Sequence, residues 1–471
     1  MHVARLLASA CIFLYLFVFS ILFFLASSHG ASMERMIGLE GGRDSDVTEY
    51  VWLAHTMLDV HRFALSPTAA PDYARVPGYP AFIAIVLLIF HTDIVIPLIQ
   101  IVFTACTVAL IYLIGVRYFS RSVALFAATV YMIDPVVMLV TWTPLSETLF
   151  MLFFMGSVYM IGVHAKRSWL PVAVAGILLG LSMYMRPVGT YLAPIIACMV
   201  LAHSTSWRVA AKNIAIFIIA TVCVASPWML RNYANSGHFA FSSDRDWEIY
   251  FVFVPQFEQA RTGVDFHKIL AQNNQQLFGI QDDFILRSFE YASREAAFSR
   301  QVILAHPFEY IAYHLTKTML LFVSSSIVKV TYHMHQFGIL AGDHAQGEGT
   351  WGMLLLHRWH DAFIQTFEHI PRLIERIFLM FAYGGAVYAT VLALFKRDRS
   401  AREVWIICAF IFMNLYALMI GPGSDDTRYR IPIEPFIFLL GGYGVTLVWP
   451  RIQKFLHLEK TALRLSLTKI G

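Results

Sequence analysis

The segment Gly41-Gly42-Arg43-Asp44-Ser45-Asp46-Val47-Thr48-Glu49-Tyr50 opens a polar stretch that ends in Arg75-Val76-Pro77-Gly78-Tyr79-Pro80 and follows an apolar run from Leu6 to Ala26. About 20 apolar residues in a helix cross the hydrocarbon core of a bilayer. The polar stretch is thus the first place where the chain leaves the membrane. The preceding run exceeds the ~7–15 residues of a signal-peptide core, and the site after Ala26 suits cleavage poorly, so it reads as a retained first helix. From Asp46 onward, Tyr50, Leu53, Ala54, Met57 and Leu58 fall at i, i+3, i+4, i+7 and i+8, one face of a helix. A carboxylate therefore heads an amphipathic helix on a membrane surface.

The rest of the chain fits that setting. Of 471 residues, 58% are hydrophobic and only 14% charged, too apolar for a soluble domain of this length. The five cysteines, Cys11, Cys106, Cys198, Cys223 and Cys408, all sit in apolar runs and read as helix-packing residues rather than disulfides of an outer loop. Further apolar runs at 95–116, 122–143, 148–165, 169–185, 188–204, 212–230, 373–395, 404–421 and 432–449 fit spans, while Ala81–Phe90 and Ile311–Val328 are ambiguous. The positive-inside rule decides them. Arg117 and Arg121, Lys166 and Arg167, Arg208 and Lys212, Lys396 to Arg402, and Arg451 with Lys454 share the cytoplasmic side only if neither ambiguous run crosses. The expectation is an all-α polytopic membrane protein with about ten transmembrane helices, both termini cytoplasmic, and interfacial helices in the first outer loop, 30–93. Residues 1–232 would form an N-terminal transmembrane module, 233–371 a mainly helical outer segment with an amphipathic stretch near Phe284–Leu304, and 372–471 the last spans with a basic tail against anionic headgroups.

Several residues at the outer ends of helices carry potential chemistry. Asp46-Val47-Thr48-Glu49 spells a capping box, so Asp46 is read either as a helix cap or as a catalytic base, with Asp44 the alternative acid. Glu147, in Pro144-Leu145-Ser146-Glu147-Thr148, stands at the end of a span, where an acid is costly and functional by default, the bland reading being a cap with Ser146. Arg75, Arg186, Arg231, Arg428 and Arg430 occupy outer helix ends against the charge bias of the chain. Guanidinium groups give bidentate hydrogen bonds to phosphate, so the set points to an anionic ligand beyond ordinary headgroup snorkelling. His333, His335, His344, His357, His360 and His369, with Asp343 and Asp361, are spaced too loosely to favour a metal site. No Walker motif, dinucleotide fingerprint, serine elbow or nucleic-acid signature is present, and no cofactor is expected.

The Asp46-to-Tyr50 spacing, the surface helix and the Arg-x-Pro-Gly-Tyr-Pro turn together resemble the first outer loop of the GT-C glycosyltransferases, the superfamily of protein O-mannosyltransferases and lipid A aminoarabinose transferases. The resemblance extends piecewise through Met185-Arg186-Pro187, Pro227-Trp228-Met229-Leu230-Arg231-Asn232-Tyr233 and Arg428-Tyr429-Arg430-Ile431-Pro432. It implies a GT-C fold in a bacterial inner membrane, with a site facing the periplasm or exterior. It also implies inverting transfer from a polyprenyl-phosphate-linked sugar to a glycolipid, polysaccharide or protein acceptor, at a hydroxyl or phosphate, without a metal. In that scheme Asp46 takes the acceptor proton, Glu147 orients sugar or acceptor, the arginines bind the donor phosphate, and Tyr50 or Tyr79 lines the cavity. The rival reading is a transporter or flippase of anionic lipid-linked substrates, which would show paired halves and broken midplane helices rather than charges on one face.

Overall fold

With so much apolar side-chain surface, the chain can satisfy its backbone only by hydrogen-bonding within each segment, and helices do this wherever water is absent. The computed structural model describes residues 2–28, 32, 46–164, 168–204, 206–279, 288–336, 359–421 and 426–467. Among these, every regular element is a helix. Large apolar side chains such as Phe13, Phe24, Leu88, Ile219 and Phe381 point outward, as expected of a bundle whose flanks meet lipid. The protein is a multi-pass membrane protein.

α1 (His2–Ser28) packs on α4 (Val95–Tyr118), and between them in sequence lie the surface helix α2 (Asp46–Asp59) and the short α3 (Gly78–Phe90). The expected amphipathic face of α2 is the buried one: Tyr50, Leu53 and Ala54 are inside. α3 has 13 residues and so is too short to cross a bilayer core of ~30 Å. α5 (Arg121–Ile133) and α6 (Pro135–Trp142), expected as one span, meet at a 54° bend. Its cause is local. Pro135 cannot continue the helical hydrogen bonding of α5, and the Asp134 carboxylate restarts the helix by accepting from the Val136 N–H at 2.9 Å.

α7 (Glu147–Tyr159, continued by a π turn over Met160–His164), α8 (Leu170–Met185), α9 (Ala193–His203, after a 3-10 turn over Pro187–Leu192) and α10 (Trp207–Ser236) complete the first half of the bundle. The outer segment is helical: α11 (Asp244–Glu248, followed by a π turn over Ile249–Phe253), α12 (Val254–Thr262), α13 (Phe266–Phe278), α14 (Phe289–Ala305), α15 (Pro307–Val323) and α16 (Ile327–Gln336). α17 (Trp359–Phe395), α18 (Ala401–Ile420) and α19 (Glu434–Leu467) follow, and α17 runs through Pro371, so the boundary expected there falls inside one helix. By length and composition five of the described helices can cross a membrane, six if the bent pair counts as one span, against about ten expected; Glu147–Gly162, Leu170–Met185 and Pro187–His203 are apolar but shorter.

Two buried polar knots fix the two ends of the bundle. At one end the Gln100 amide accepts from the Tyr79 hydroxyl at 2.5 Å and donates to the carbonyls of Thr141 at 3.0 Å and Thr143 at 2.7 Å, satisfying backbone left open where α6 stops. At the other, the Tyr118 hydroxyl donates to the Gly162 carbonyl at 3.0 Å and meets His203 Nε2 at 2.5 Å. α17 and α19 approach so closely that glycine is required: a Cβ on Gly444 would lie 2.5 Å from the Gly385 carbonyl carbon, and one on Gly441 2.9 Å from Ala382 Cα. Gly444→Val is therefore expected to destabilise the bundle by about 1–3 kcal/mol. A lowered melting midpoint of the purified protein in detergent checks this, against Gly384→Ala, whose added Cβ meets nothing within 4 Å and should leave the midpoint in place.

Candidate active site

Asp46 and Glu49 share a face at the start of α2, three residues apart, and both turn to Arg75. The polar loop brings Arg75 back to them, with the Asp72 carboxylate accepting from the Arg75 backbone N–H at 2.7 Å to close the turn. Arg75 Nη2 donates to Asp46 Oδ1 at 2.6 Å and Arg75 Nε to Glu49 Oε2 at 2.6 Å, and the guanidinium lies over the Tyr50 ring at 5.4 Å. Gly78 lets this turn press on the end of α8, where a Cβ would sit 2.6 Å from the Tyr184 carbonyl oxygen.

From the far end of the chain, Arg428 Nη1 donates to the other Asp46 oxygen at 3.2 Å and lies 3.9 Å from Glu147 Oε1. Arg428 stands in a 3-10 turn, Thr427–Arg430, capped by Asp426, whose carboxylate accepts from the Arg428 N–H at 3.0 Å and from Nε at 2.8 Å. Lys329, on α16, pairs with the same Asp426. Arg186, at the end of α8, pairs with Glu147 at the head of α7 and lies 5.6 Å from the centre of the Tyr429 ring. The result is an alternating chain, Arg75–Asp46–Arg428–Glu147–Arg186, assembled from five separate places in the sequence.

Glu147 is buried, with Oε2 lacking a hydrogen bond among the described residues, whereas the Asp46, Arg75, Arg186 and Arg428 side chains keep 30%, 19%, 19% and 16% exposure. Burial opposes charge on Asp46, but Arg75, Arg428 and Arg186 outweigh it and hold its carboxyl far below the usual carboxylate range. Asp426 is also depressed: burial raises it, and Arg428 and Lys329 more than reverse this. A depressed carboxyl keeps its contribution above its unfolded pKa and loses it only as pH falls through the folded one, so this network holds its charge through neutrality.

Two of the expected phosphate arginines do not join. Arg231 Nη1 donates to the Asp72 carbonyl at 3.0 Å and to Asn232 Oδ1 at 2.9 Å, and its guanidinium stacks 4.5 Å from the Trp228 ring, so it clamps the polar loop to α10. Arg430 is fully buried. It bonds Glu434 Oε1 at 2.9 Å and Ser326 Oγ at 2.6 Å, and lies 3.5 Å from Glu375 and 3.6 Å from Asp134, one cation among three carboxylates. Tyr79 is also fully buried against Gln100, and Tyr50, in edge contact with it at 5.0 Å, backs the site with its hydroxyl 3.3 Å from Ser146 Oγ.

Asp44, Asp343, His344 and His357 lie outside the described residues, and the side chains of His333, His335, His360, Asp361 and His369 are likewise not described. Among the described residues no cluster of His, Cys, Asp or Glu could hold a metal ion, and all five cysteines are free. Sequence reasoning passed over Glu49, Asp426 and Lys329. Glu49 carried a signal, the capping-box spacing read as local, and Asp426 stood beside Arg428, but nothing local marked Lys329.

Residues 72–230, which include Arg75, Glu147 and Arg186, match the family model described as dolichyl-phosphate-mannose-protein mannosyltransferase. Over those residues the match bears out the resemblance read from the sequence. No curated protein matches the chain. Among solved structures the chain is similar to the archaeal oligosaccharyltransferase AglB from Archaeoglobus fulgidus in complex with an inhibitory peptide and a dolichol-phosphate, at 14% identity and a TM-score of 0.45, over 95% of this chain and 52% of that one. It is also similar to ArnT from Cupriavidus metallidurans bound to undecaprenyl phosphate, at 13% identity and a TM-score of 0.38, over 91% of this chain and 77% of that one. The chain spans about half the length of the archaeal chains it matches.

The two outlying arginines should behave as structure. Removing Arg430 takes the cation from two buried carboxylates, Asp134 and Glu434, and from the partly buried Glu375, so Arg430→Ala should cost about 3–5 kcal/mol. Arg428→Ala, at a partly exposed site where Asp46 keeps Arg75 and Asp426 keeps Lys329, should cost much less. A melting comparison in detergent checks the order, and a larger loss for Arg428→Ala would contradict this division of roles.

Proposed function

We propose that the chain is an inverting glycosyltransferase that moves a sugar from a polyprenyl-phosphate donor to an acceptor at the non-cytoplasmic face of the membrane. The observation that carries this reading is the convergence of Arg75, Arg186 and Arg428 on a partly exposed cluster at one end of the bundle. A lone phosphate-bearing lipid reaches such a place from the bilayer, with its chain in hydrocarbon and its headgroup at the rim. The family description over residues 72–230 names a donor of that kind. The basic clusters at Arg117 with Arg121 and at Lys396–Arg402 lie at the opposite end, which favours a site outside the cytoplasm and, in a bacterium, a periplasmic one.

The chemistry follows from the leaving group. A phosphate attached to the anomeric carbon departs as an anion of low basicity, so its loss needs positive charge in place more than it needs a proton. Arg75 and Arg428 are held ready by Asp46, and Arg186 by Glu147; each exchanges part of its carboxylate contact for phosphate oxygen as the donor arrives. Asp46 is on this reading the residue that sets the arginines. Glu147, buried beneath, fixes the height of Arg186.

Purified protein supplied with a panel of polyprenyl-phosphate sugars should release free polyprenyl phosphate in the presence of an acceptor. Arg186→Ala and Arg428→Ala should each lower kcat/KM about 10²–10³-fold, with the donor KM raised. Asp46→Asn should keep the fold and lose most turnover. No release from any donor, or arginine variants with unchanged kinetics, would contradict the reading.

A further inference from the structure

The arginines of the cluster come from the polar loop, the end of α8 and the turn before α19, and the outer segment brings a lysine beside them. α15 and α16 form a hairpin whose tip, 324–326, is gripped from two sides. From α17, the Glu375 carboxylate accepts from the Ser326 and Ile327 N–H groups at 2.8 and 3.3 Å and from the Ser325 hydroxyl at 2.5 Å. It thereby satisfies backbone donors left open at the start of α16. From the 3-10 turn, Arg430 Nη2 donates to Ser326 Oγ at 2.6 Å and Nη1 donates to the Ser324 carbonyl. Phe322, just before the tip, is buried with its ring 4.3 Å from that of Tyr383 on α17. The first turn of α16 is thus fixed in place, and Lys329 is its third residue.

Lys329 meets Asp426 there. Asp426 Oδ2 accepts from Lys329 Nζ and, at 2.8 Å, from Arg428 Nε, while Oδ1 accepts from the Arg428 backbone N–H at 3.0 Å. The other edge of the same guanidinium, through Nη1, reaches Asp46 at 3.2 Å. Arg428 therefore has one edge held by its own turn and one turned to the cluster. A carboxylate set against a single guanidinium cancels its charge, whereas a carboxylate shared between a guanidinium and an ammonium leaves one positive charge over. With the Lys329, Asp426 and Arg428 side chains only 24%, 23% and 16% exposed, that surplus is less screened than it would be in open water. We propose that Lys329 is a positioning residue of the donor site: by sharing Asp426 it leaves Arg428 the charge with which its Nη edge meets the donor phosphate. This rests on the sugar-transfer reading above.

The assignment has a signature that other tasks for the same lysine lack. Without Lys329, Asp426 faces Arg428 as its full counter-ion and draws the guanidinium toward its own turn, so an incoming phosphate competes with an undivided carboxylate. Asparagine at 426 removes that competition and still caps the turn, because its amide oxygen accepts from the Arg428 N–H as the carboxylate does. The loss caused by neutralising Lys329 is then relieved by neutralising Asp426. A lysine that only tied α16 down, or one that touched the phosphate itself, would show no such relief, since removing Asp426 restores neither a tether nor a cation.

The test is a double-mutant cycle on the full-length protein over Lys329→Met, Asp426→Asn and the two combined, with Lys329→Gln and Lys329→Arg alongside. Undecaprenyl phosphate affinity is read by thermal-shift titration, and donor KM and kcat by polyprenyl phosphate release. Lys329→Met should weaken undecaprenyl phosphate binding and raise donor KM by about 5–30-fold. Lys329→Gln, which keeps a donor for Asp426 and so a tether for α16, should lose as much. Lys329→Arg should return to within about 3-fold of wild type, because the task needs a charge at that point and not a particular head group. Adding Asp426→Asn to Lys329→Met should recover about 3-fold or more of the lost affinity. Wild-type affinity in both Lys329→Met and Lys329→Gln, or a double variant that binds no better than Lys329→Met, overturns the assignment while leaving the sugar-transfer reading in place. If the wild type binds undecaprenyl phosphate but releases none from any donor, it is the sugar-transfer reading that fails, and the assignment with it.

Discussion

Charge at the rim of an apolar bundle must be paired or be exposed, because an isolated ion in a poorly solvated setting costs several kcal/mol. The pairing of Asp46 with both Arg75 and Arg428 meets that constraint, and much of the architecture follows from it. One carboxylate, at the head of a surface helix, joins the first polar loop to a turn near the end of the chain, 382 residues away. The pair is not sealed. A third of the Asp46 side chain remains open, and on the proposed function this is where an incoming phosphate would take the place of a carboxylate.

The bundle beneath is arranged to keep this cluster in place. The bend at Asp134–Pro135 turns the chain so that Thr141 and Thr143 meet Gln100 and Glu147 arrives under Arg186. Arg430 draws Asp134, Glu375 and Glu434 to one buried point and reaches Ser326 at the base of α16, the helix that carries Lys329 to Asp426. Arg430 thereby holds the 3-10 turn from below while Arg428, two residues earlier, works from above. The two arginines, separated only by Tyr429, have different surroundings because a 3-10 turn sends them to different faces.

The surface helix from Asp46 was legible because its apolar positions repeat at 3.6 residues, a pattern that survives whatever the helix packs against. The apolar runs were equally plain as helices, but the break at Pro135 was read through, because hydropathy reports burial and not hydrogen bonding. The outer arginines stood out against the charge bias, and three of them do converge. Sequence could not separate these from Arg231 and Arg430, since partners at long range, the Asp72 carbonyl for one and Glu375 for the other, decide whether a guanidinium is spent on structure.

The central claim is that the cluster recognises a lipid by its phosphate. Thermal-shift titration of the purified protein with undecaprenyl phosphate and, separately, with undecaprenol of the same chain length tests it most directly, because the two ligands differ only in the charged group. The account predicts a saturable rise in the melting midpoint with undecaprenyl phosphate, weakened by salt, and no comparable rise with undecaprenol. Equal stabilisation by both lipids would show that the chain is held by its hydrocarbon alone and would contradict the account.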